Sequence, residues 1–373
     1  MSSPMVAPRA VTQDQLVEDL RHAIDQGLTL PPYWYTDPDV LAFEQQSVFN
    51  RSWQYAGHMD RLAEPGDFIL ASIGRVPVII VMDQDRSVRA FLNLCRHRGH
   101  EVVLPCAEQP ARRRKTLQCP YHGWTFDLDG SLRSAPRSNR EASFDKSALG
   151  LVPVSLDTWG PLIFINLDPS PVPFAEYLGG MPEVAGSRGL HFDHFTEHKR
   201  YEYEFATNWK IAVDNNFECY HCATAHPGFA KLFKVDPDAY EIKTFDYTAT
   251  QLSPNKQLPD SDAREWGDFR FYYVWPATFI VDHTITYNVM SLVPTEPGRT
   301  KMLYEIYRRD DVEEQAVDEY AAFYTSVFAE DAGLIESVQR GQASGVFPPG
   351  PLLLDSEHLL RYLQIRLLDS LES

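Results

Sequence analysis

Asn208-Trp-Lys-Ile-Ala-Val-Asp-Asn-Asn-Phe-Glu218-Cys-Tyr-His221-Cys-Ala-Thr-Ala-His226-Pro227 is the stretch on which the reading of this chain turns. It puts two histidines and a carboxylate in one short run that reads as a helix and its end. On a helix, Glu218 and His221 are three apart and share a face. His226 lies five beyond His221, where a continuous helix would rotate it away. Pro227 resolves this: the residue before a proline is pushed out of the α region, so the helix ends there and His226 swings back. Two neutral imidazoles and one oxygen ligand from elsewhere make a 2-His-1-carboxylate facial triad, which holds Fe(II) and leaves positions open for O2 and substrate. The competing reading is a core helix with two hydrogen-bonded histidines, and this stretch alone does not choose.

A second cluster upstream does. Cys95-Arg-His97 and Cys119-Pro-Tyr-His122 form a C-x-H…C-x-x-H pair, each half followed closely by a glycine, Gly99 and Gly123. Two thiolates and two imidazoles in that order suit a zinc site or a Rieske 2Fe-2S centre, in which two His replace two Cys on one iron. C-x-H is a poor zinc-knuckle spacing, and Gly-Trp-Thr-Phe after His122 continues as a strand rather than a finger helix. On Cys95-Arg-His97-Arg-Gly, Cys119-Pro-Tyr-His122-Gly-Trp and Asn208-Trp-Lys…Glu218-x-x-His221-x4-His226, the chain resembles the Rieske non-haem iron oxygenases, specifically their large catalytic α subunits. The resemblance runs from about Trp53 to the last helix, in the family's order.

Length and composition agree with this. A chain of 373 residues is long enough for two domains with separate cores, and 44% hydrophobic with 23% charged residues is ordinary for a globular protein. The formal charge of −18 argues against nucleic acid as a partner, because phosphate binding needs a basic field, and it suits a cationic substrate or electron donor. Cys95, Cys106, Cys119, Cys219 and Cys222 are odd in number, without framework spacing, and the first residues lack an apolar signal region. A cytoplasmic location is therefore expected. Thiolates do not belong to a facial triad, so Cys219 and Cys222 read as packing residues. No apolar run approaches the ~20 residues needed to span a bilayer.

Read in order, residues 1–50 form a helical arm packing on the catalytic domain or on a neighbour. Thr12-x-x-Gln15 is a capping box, Gly27 closes the first helix, and Asp37-Pro38 opens the second. Residues 51–168 turn to short strands separated by turn signals, giving a small antiparallel β domain with the cluster at the tips of two loops. Between His97 and Cys119 the spacing is a few residues longer than the family's, and the extra length carries Arg112 to Lys115. Such a basic run docks an acidic electron-transfer partner or is simply solvated. Pro169-Ser-Pro-Val-Pro173 reads as a stiff linker. Residues 169–373 then read as an antiparallel meander with a long helix from about Val312 to Gly341. The expected fold is α+β: an antiparallel Rieske domain, then a catalytic domain whose antiparallel sheet folds around a long C-terminal helix.

The resemblance also implies roles. The third iron ligand falls on Asp331, with Glu330 and Glu336 as competitors that spacing alone does not dismiss. Glu218 occupies the position of an acidic bridge between an iron-ligating histidine, His221, and a cluster-ligating histidine, His122, of the neighbouring subunit. Asn215 matches an asparagine position near the iron. A head-to-tail homotrimer follows, as does a separate reductase or ferredoxin carrying flavin and electrons from NAD(P)H. No glycine-rich dinucleotide fingerprint follows a strand in this chain. Glu218-Cys-Tyr-His-Cys-x-x-x-His-Pro is similar to the branch acting on quaternary ammonium compounds, by hydroxylation or N-demethylation. Tyr273, Trp275, Phe279 and Tyr287 are its candidate aromatic cage. Two rivals are an aromatic-ring hydroxylase or O-demethylase with the same metals, and a Rieske electron-transfer protein; the last leaves His221, His226 and Asp331 unexplained.

Overall fold

The computed structural model describes residues 11–105, 113–256 and 266–372. They fall into two compact units: Asn50–Tyr177, and a second made of Met1–Phe49 together with Leu178–Ser373.

The first unit is all β. Its six-stranded antiparallel sheet runs, edge to edge, Gln54–His58, Leu162–Asn166, Pro153–Trp159, Val88–Leu92, Val76–Met82 and Phe68–Ile73. Val78 to Val81 are completely buried, as a β-branched run in a strand covered on both faces must be. A smaller three-stranded sheet, Leu117–Gln118, Thr125–Phe126 and Leu132–Ser134, closes over it. Phe68, Ile79, Phe91, Phe126 and Leu132 form a core that takes in Cys95 and Cys119. Gly130 permits this closure, because a Cβ there would meet the Phe91 ring at 2.4 Å. Pro169 to Pro173 does not form a free linker. The Trp53 indole N–H donates to the Val172 carbonyl at 2.8 Å, and Phe174 packs on Trp53 and Phe164, so the boundary moves on to Tyr177.

In the second unit seven antiparallel strands follow the order Phe195–Phe205, Arg299–Arg309, Thr286–Glu296, Thr278–Asp282, Phe269–Val274, Thr248–Ser253 and Glu241–Thr244. Glu314–Ala343, a 30-residue helix, lies against the first two strands and against the short helix Trp209–Phe217. Thr12 caps Gln13–Gln26, and Gly27 ends that helix in the left-handed conformation at φ 64°. The arm reaches the metal-site helix through charge. Lys210 Nζ lies 2.6 Å from Glu44 Oε1, the Trp209 indole N–H donates to Glu44 Oε2 at 2.8 Å, and both charged side chains are 1% exposed. The helix His358–Glu372 packs on Gln13–Gln26.

Candidate functional site

Each half of the Cys/His quartet closes by the same hydrogen bonds. The Gly99 N–H donates to the Cys95 carbonyl at 2.9 Å and the Gly123 N–H to the Cys119 carbonyl at 3.1 Å, with φ of 70° and 71°. These are left-handed positions that glycine adopts at no steric cost, which is why a glycine follows each histidine. Cys95 N–H and Cys119 N–H in turn donate to the carbonyls of His100 and Trp124, both at 2.8 Å. Two such loops set His97 Nδ1 3.1 Å from His122 Nδ1, and His97 stacks on Trp124. Cys95 and Cys119 are buried beneath them as free thiols. Burial lifts the Cys95 thiol to about 11, with Cys119 beside it adding to the rise, so Cys95 ionises only with positive charge at hand. A 2Fe-2S cluster fits this donor set. Arg113 of the basic run pairs with Asp67 at 2.9 Å; Arg112 and Cys106 lie outside the described residues.

The second cluster is built where the chain stops being a helix. Trp209–Phe217 ends one residue before Glu218, which is extended at φ −127°, ψ 151°. Glu218 and His221 therefore do not share a helix face. They meet across a tight turn, in which the His221 N–H donates to Glu218 Oε2 at 3.1 Å and the His221 ring bonds through Nδ1 to Glu218 Oε1. The same turn brings the Cα atoms of Cys219 and Cys222 to 4.8 Å and joins them in a disulfide, so they are a covalent staple rather than packing thiols. His226 separates the short helices Cys222–Ala225 and Pro227–Leu232 at φ −121°, ψ 68°, outside the α region as its proline requires.

Its ring returns to His221 with the two Nε2 atoms 3.2 Å apart. Asp331 on the long helix completes the group: its Oδ1 is 2.9 Å from His226 Nε2 and 3.5 Å from His221 Nε2, and the three ligand atoms lie within 4.8 Å of one another. Asn215 Nδ2 is 3.1 Å from that oxygen. Burial works against charge on the His221 ring, yet the carboxylates of Asp331 and Glu218 lift its pKa to about 9. Partial burial raises the Asp331 carboxyl too, but the two imidazoles hold it below the usual range. The group is primed for positive charge, and a divalent iron fits it. Of the competing acids, Glu330 lies behind His226, its Oε2 2.7 Å from Nδ1, and Glu336 accepts the Ala206 N–H at 2.9 Å.

A cavity of about 80 Å³ opens on these ligands. Phe229, Phe269, Phe271, Tyr304, Tyr324 and Phe328 supply its aromatic wall, with Gln251 and Asn288 as polar spots. None of the expected cage residues lines it. Tyr273 and Phe279 sit on the strands that contribute Phe271 and Val281, but Phe217 covers them, its ring 4.3 Å from that of Tyr273. Trp275 packs on Trp209, and Tyr287 stacks on Tyr307 while its neighbours Asn288 and Met290 reach the cavity. The signal overlooked in the sequence was helical: Tyr324, Val327, Phe328 and Asp331 recur at i, i+3, i+4 and i+7, one face of one helix.

Two iron sites in one chain, one suited to electron storage and one to O2, define an iron-dependent oxygenase component. The comparisons agree. Residues 52–152 match the Rieske 2Fe-2S domain family, and residues 192–373 match the ring hydroxylating alpha subunit (catalytic domain). The carnitine monooxygenase oxygenase subunit of Acinetobacter baumannii is 32% identical over 365 residues, covering 94% of this chain and 97% of that protein. The chloroplastic choline monooxygenase of Spinacia oleracea is 28% identical, covering 96% and 83%. Among solved structures, the quaternary ammonium Rieske monooxygenase CntA in complex with substrate L-carnitine superposes with a TM-score of 0.80 at 30% identity, over 97% of this chain and 99% of that one. Naphthalene 1,2-dioxygenase from Rhodococcus sp. shares the fold at 21% identity, with a TM-score of 0.77 and coverage of 96% and 98%. The chain belongs to the Rieske non-haem iron oxygenases, and its cofactors are a Rieske cluster and a mononuclear iron.

Proposed function

We propose that this oxygenase oxidises a small quaternary ammonium compound, by hydroxylation or N-demethylation, with electrons from a separate NAD(P)H reductase. The observation that carries it is the cavity wall. Six aromatic side chains line it, and a trimethylammonium group gains about 0.5–2 kcal/mol on an aromatic face. An arene would leave the buried Asn288 Oδ1 without a hydrogen-bond donor, whereas a hydroxyl on a quaternary ammonium compound can supply one. The similarity to carnitine and choline monooxygenases supports the same class.

Cys95, His97, Cys119 and His122 would hold the cluster, and His221, His226 and Asp331 the iron. When bound, the cluster stores reducing equivalents and the iron activates O2. The protein's own task is placement. Glu218 orients His221 and, in a head-to-tail homotrimer, bridges it to His122 of the next subunit. Tyr121 and Tyr220, each beside a ligating histidine, are 55% and 58% exposed, apolar surface of the kind that an interface covers. Asn215 aims its amide at Asp331 and positions that carboxylate. Among the described residues no helix is long and apolar enough to cross a membrane.

The test is NADH-dependent O2 consumption and formaldehyde release, with a generic reductase, across betaines, choline and aromatic acids. Turnover confined to arenes or aryl ethers overturns the quaternary ammonium reading. Iron near two per chain rather than three returns the protein to simple electron transfer.

A further inference from the structure

We propose that Glu330 is a positioning residue for the mononuclear site: by accepting the Nδ1 hydrogen of His226 it fixes the tautomer whose Nε2 is free to bind the metal. This rests on the reading of His221, His226 and Asp331 as iron ligands.

Two carboxylates compete for the single ring hydrogen of a neutral His226. Asp331 Oδ1 stands 2.9 Å from Nε2, and Glu330 Oε2 stands 2.7 Å from Nδ1. If the hydrogen sits on Nε2, it donates to Asp331 and closes the site to a metal. If it sits on Nδ1, it donates to Glu330 and leaves an Nε2 lone pair beside that of His221, 3.2 Å away. The His226 ring is 3% exposed, so bulk water does not offer Nδ1 a substitute partner. Its backbone is held on both sides, the N–H donating to the Cys222 carbonyl and the carbonyl accepting the Ala230 N–H, but neither bond chooses the ring tautomer.

The long helix explains how adjacent residues take opposite duties. Consecutive side chains diverge by about 100° around the axis, so Asp331 enters the cavity while Glu330 passes outside it and reaches the back of the ring. Glu218 does the same for His221, through Nδ1. Each iron-facing imidazole thus has its own glutamate behind it. Glu218 also bonds the His221 backbone N–H, whereas Glu330, with its side chain 44% exposed, is held among the described residues by its own helix and by the ring.

The test is Fe(II) affinity of iron-depleted protein with its cluster intact, measured anaerobically against a competing chelator. Glu330→Ala should bind Fe(II) about 10–100-fold more weakly than wild type, with an unchanged cluster absorption spectrum. Glu330→Gln keeps an acceptor oxygen and loses the charge assistance, so it should fall between the two, about threefold to tenfold weaker than wild type. The electron paramagnetic resonance signal of the nitric oxide adduct of the Fe(II) site should broaden in Glu330→Ala as the ring loses its fixed orientation. Affinity of either variant within error of wild type overturns the proposal. Should Glu330→Ala lose its cluster spectrum, Glu330→Gln decides alone. Asp331→Ala in parallel separates the two levels: if it too leaves Fe(II) binding intact, the iron-site reading fails, and if it abolishes binding while the Glu330 variants are normal, only the role of Glu330 fails.

Discussion

A carboxylate in this protein does what its neighbours make it do. Glu218 faces an imidazole, and replacing it with glutamine keeps an acceptor for Nδ1 but removes the charge that would connect two histidines. Glu218→Gln should leave both metal centres populated while product formed per reduced cluster falls about 10–100-fold, read in single turnovers of pre-reduced enzyme. Asp282 faces a guanidinium instead. Burial pushes it up to about 7, against the pull of Arg270 at 2.9 Å. Its folded form therefore keeps a proton that the unfolded chain releases near 3.8. Between those two values stability declines as pH rises, by on the order of 1 kcal/mol per pH unit from this group, and above about 7 the loss is complete. Asp282→Asn should flatten that part of the pH profile, with urea midpoints compared at pH 4, 5.5 and 7. An unchanged slope would show that Asp282 is charged throughout.

At the scale of elements, the site depends on where helices stop. Pro227 divides the run after His221 into two short helices and holds His226 between them. Pro227→Ala lets that residue enter the α region, so ordering it on the metal costs about 0.4–1 kcal/mol more and Fe(II) binds roughly two- to fivefold more weakly. Chelator competition on the variant checks this. The proline effect was legible because it is a local steric rule. The break at Glu218 was not, since nothing between Phe217 and Cys222 forbids a helix locally, and the turn is held by the disulfide and by the imidazole of His221. The cage failed for a related reason. Alternation along Phe269–Val274 put Tyr273 on the cavity's face, and only the arrival of Phe217 from another element decides that Tyr273 lies under a plug while Phe269 and Phe271 do not. The convergence of His221, His226 and Asp331, by contrast, was legible, the two histidines from their spacing and Asp331 only through the resemblance, because donor chemistry tolerates few substitutes.

For the molecule as a whole, two experiments separate assembly from folding. If electrons cross between subunits, a cluster-deficient Cys95→Ser chain and an iron-deficient Asp331→Ala chain, each inactive alone, should recover part of the wild-type turnover when co-expressed and assembled together. No recovery in isolated mixed oligomers would mean that the transfer is not between chains. The second concerns the ion pair beneath the metal-site helix. Glu44→Ala leaves the Lys210 ammonium buried and unpaired, which should cost about 3–5 kcal/mol in denaturant unfolding of the catalytic unit. Replacing both partners with apolar residues of similar volume should cost far less.

The division of the chain also sets an order of events during synthesis. All strands of the cluster-bearing unit lie between Asn50 and Tyr177, so they are made before any strand of the other sheet. The oxygen-activating unit has no such independence. Its helix Gln13–Gln26 packs on His358–Glu372, so that pairing closes only after the whole intervening sheet and the long helix have been made.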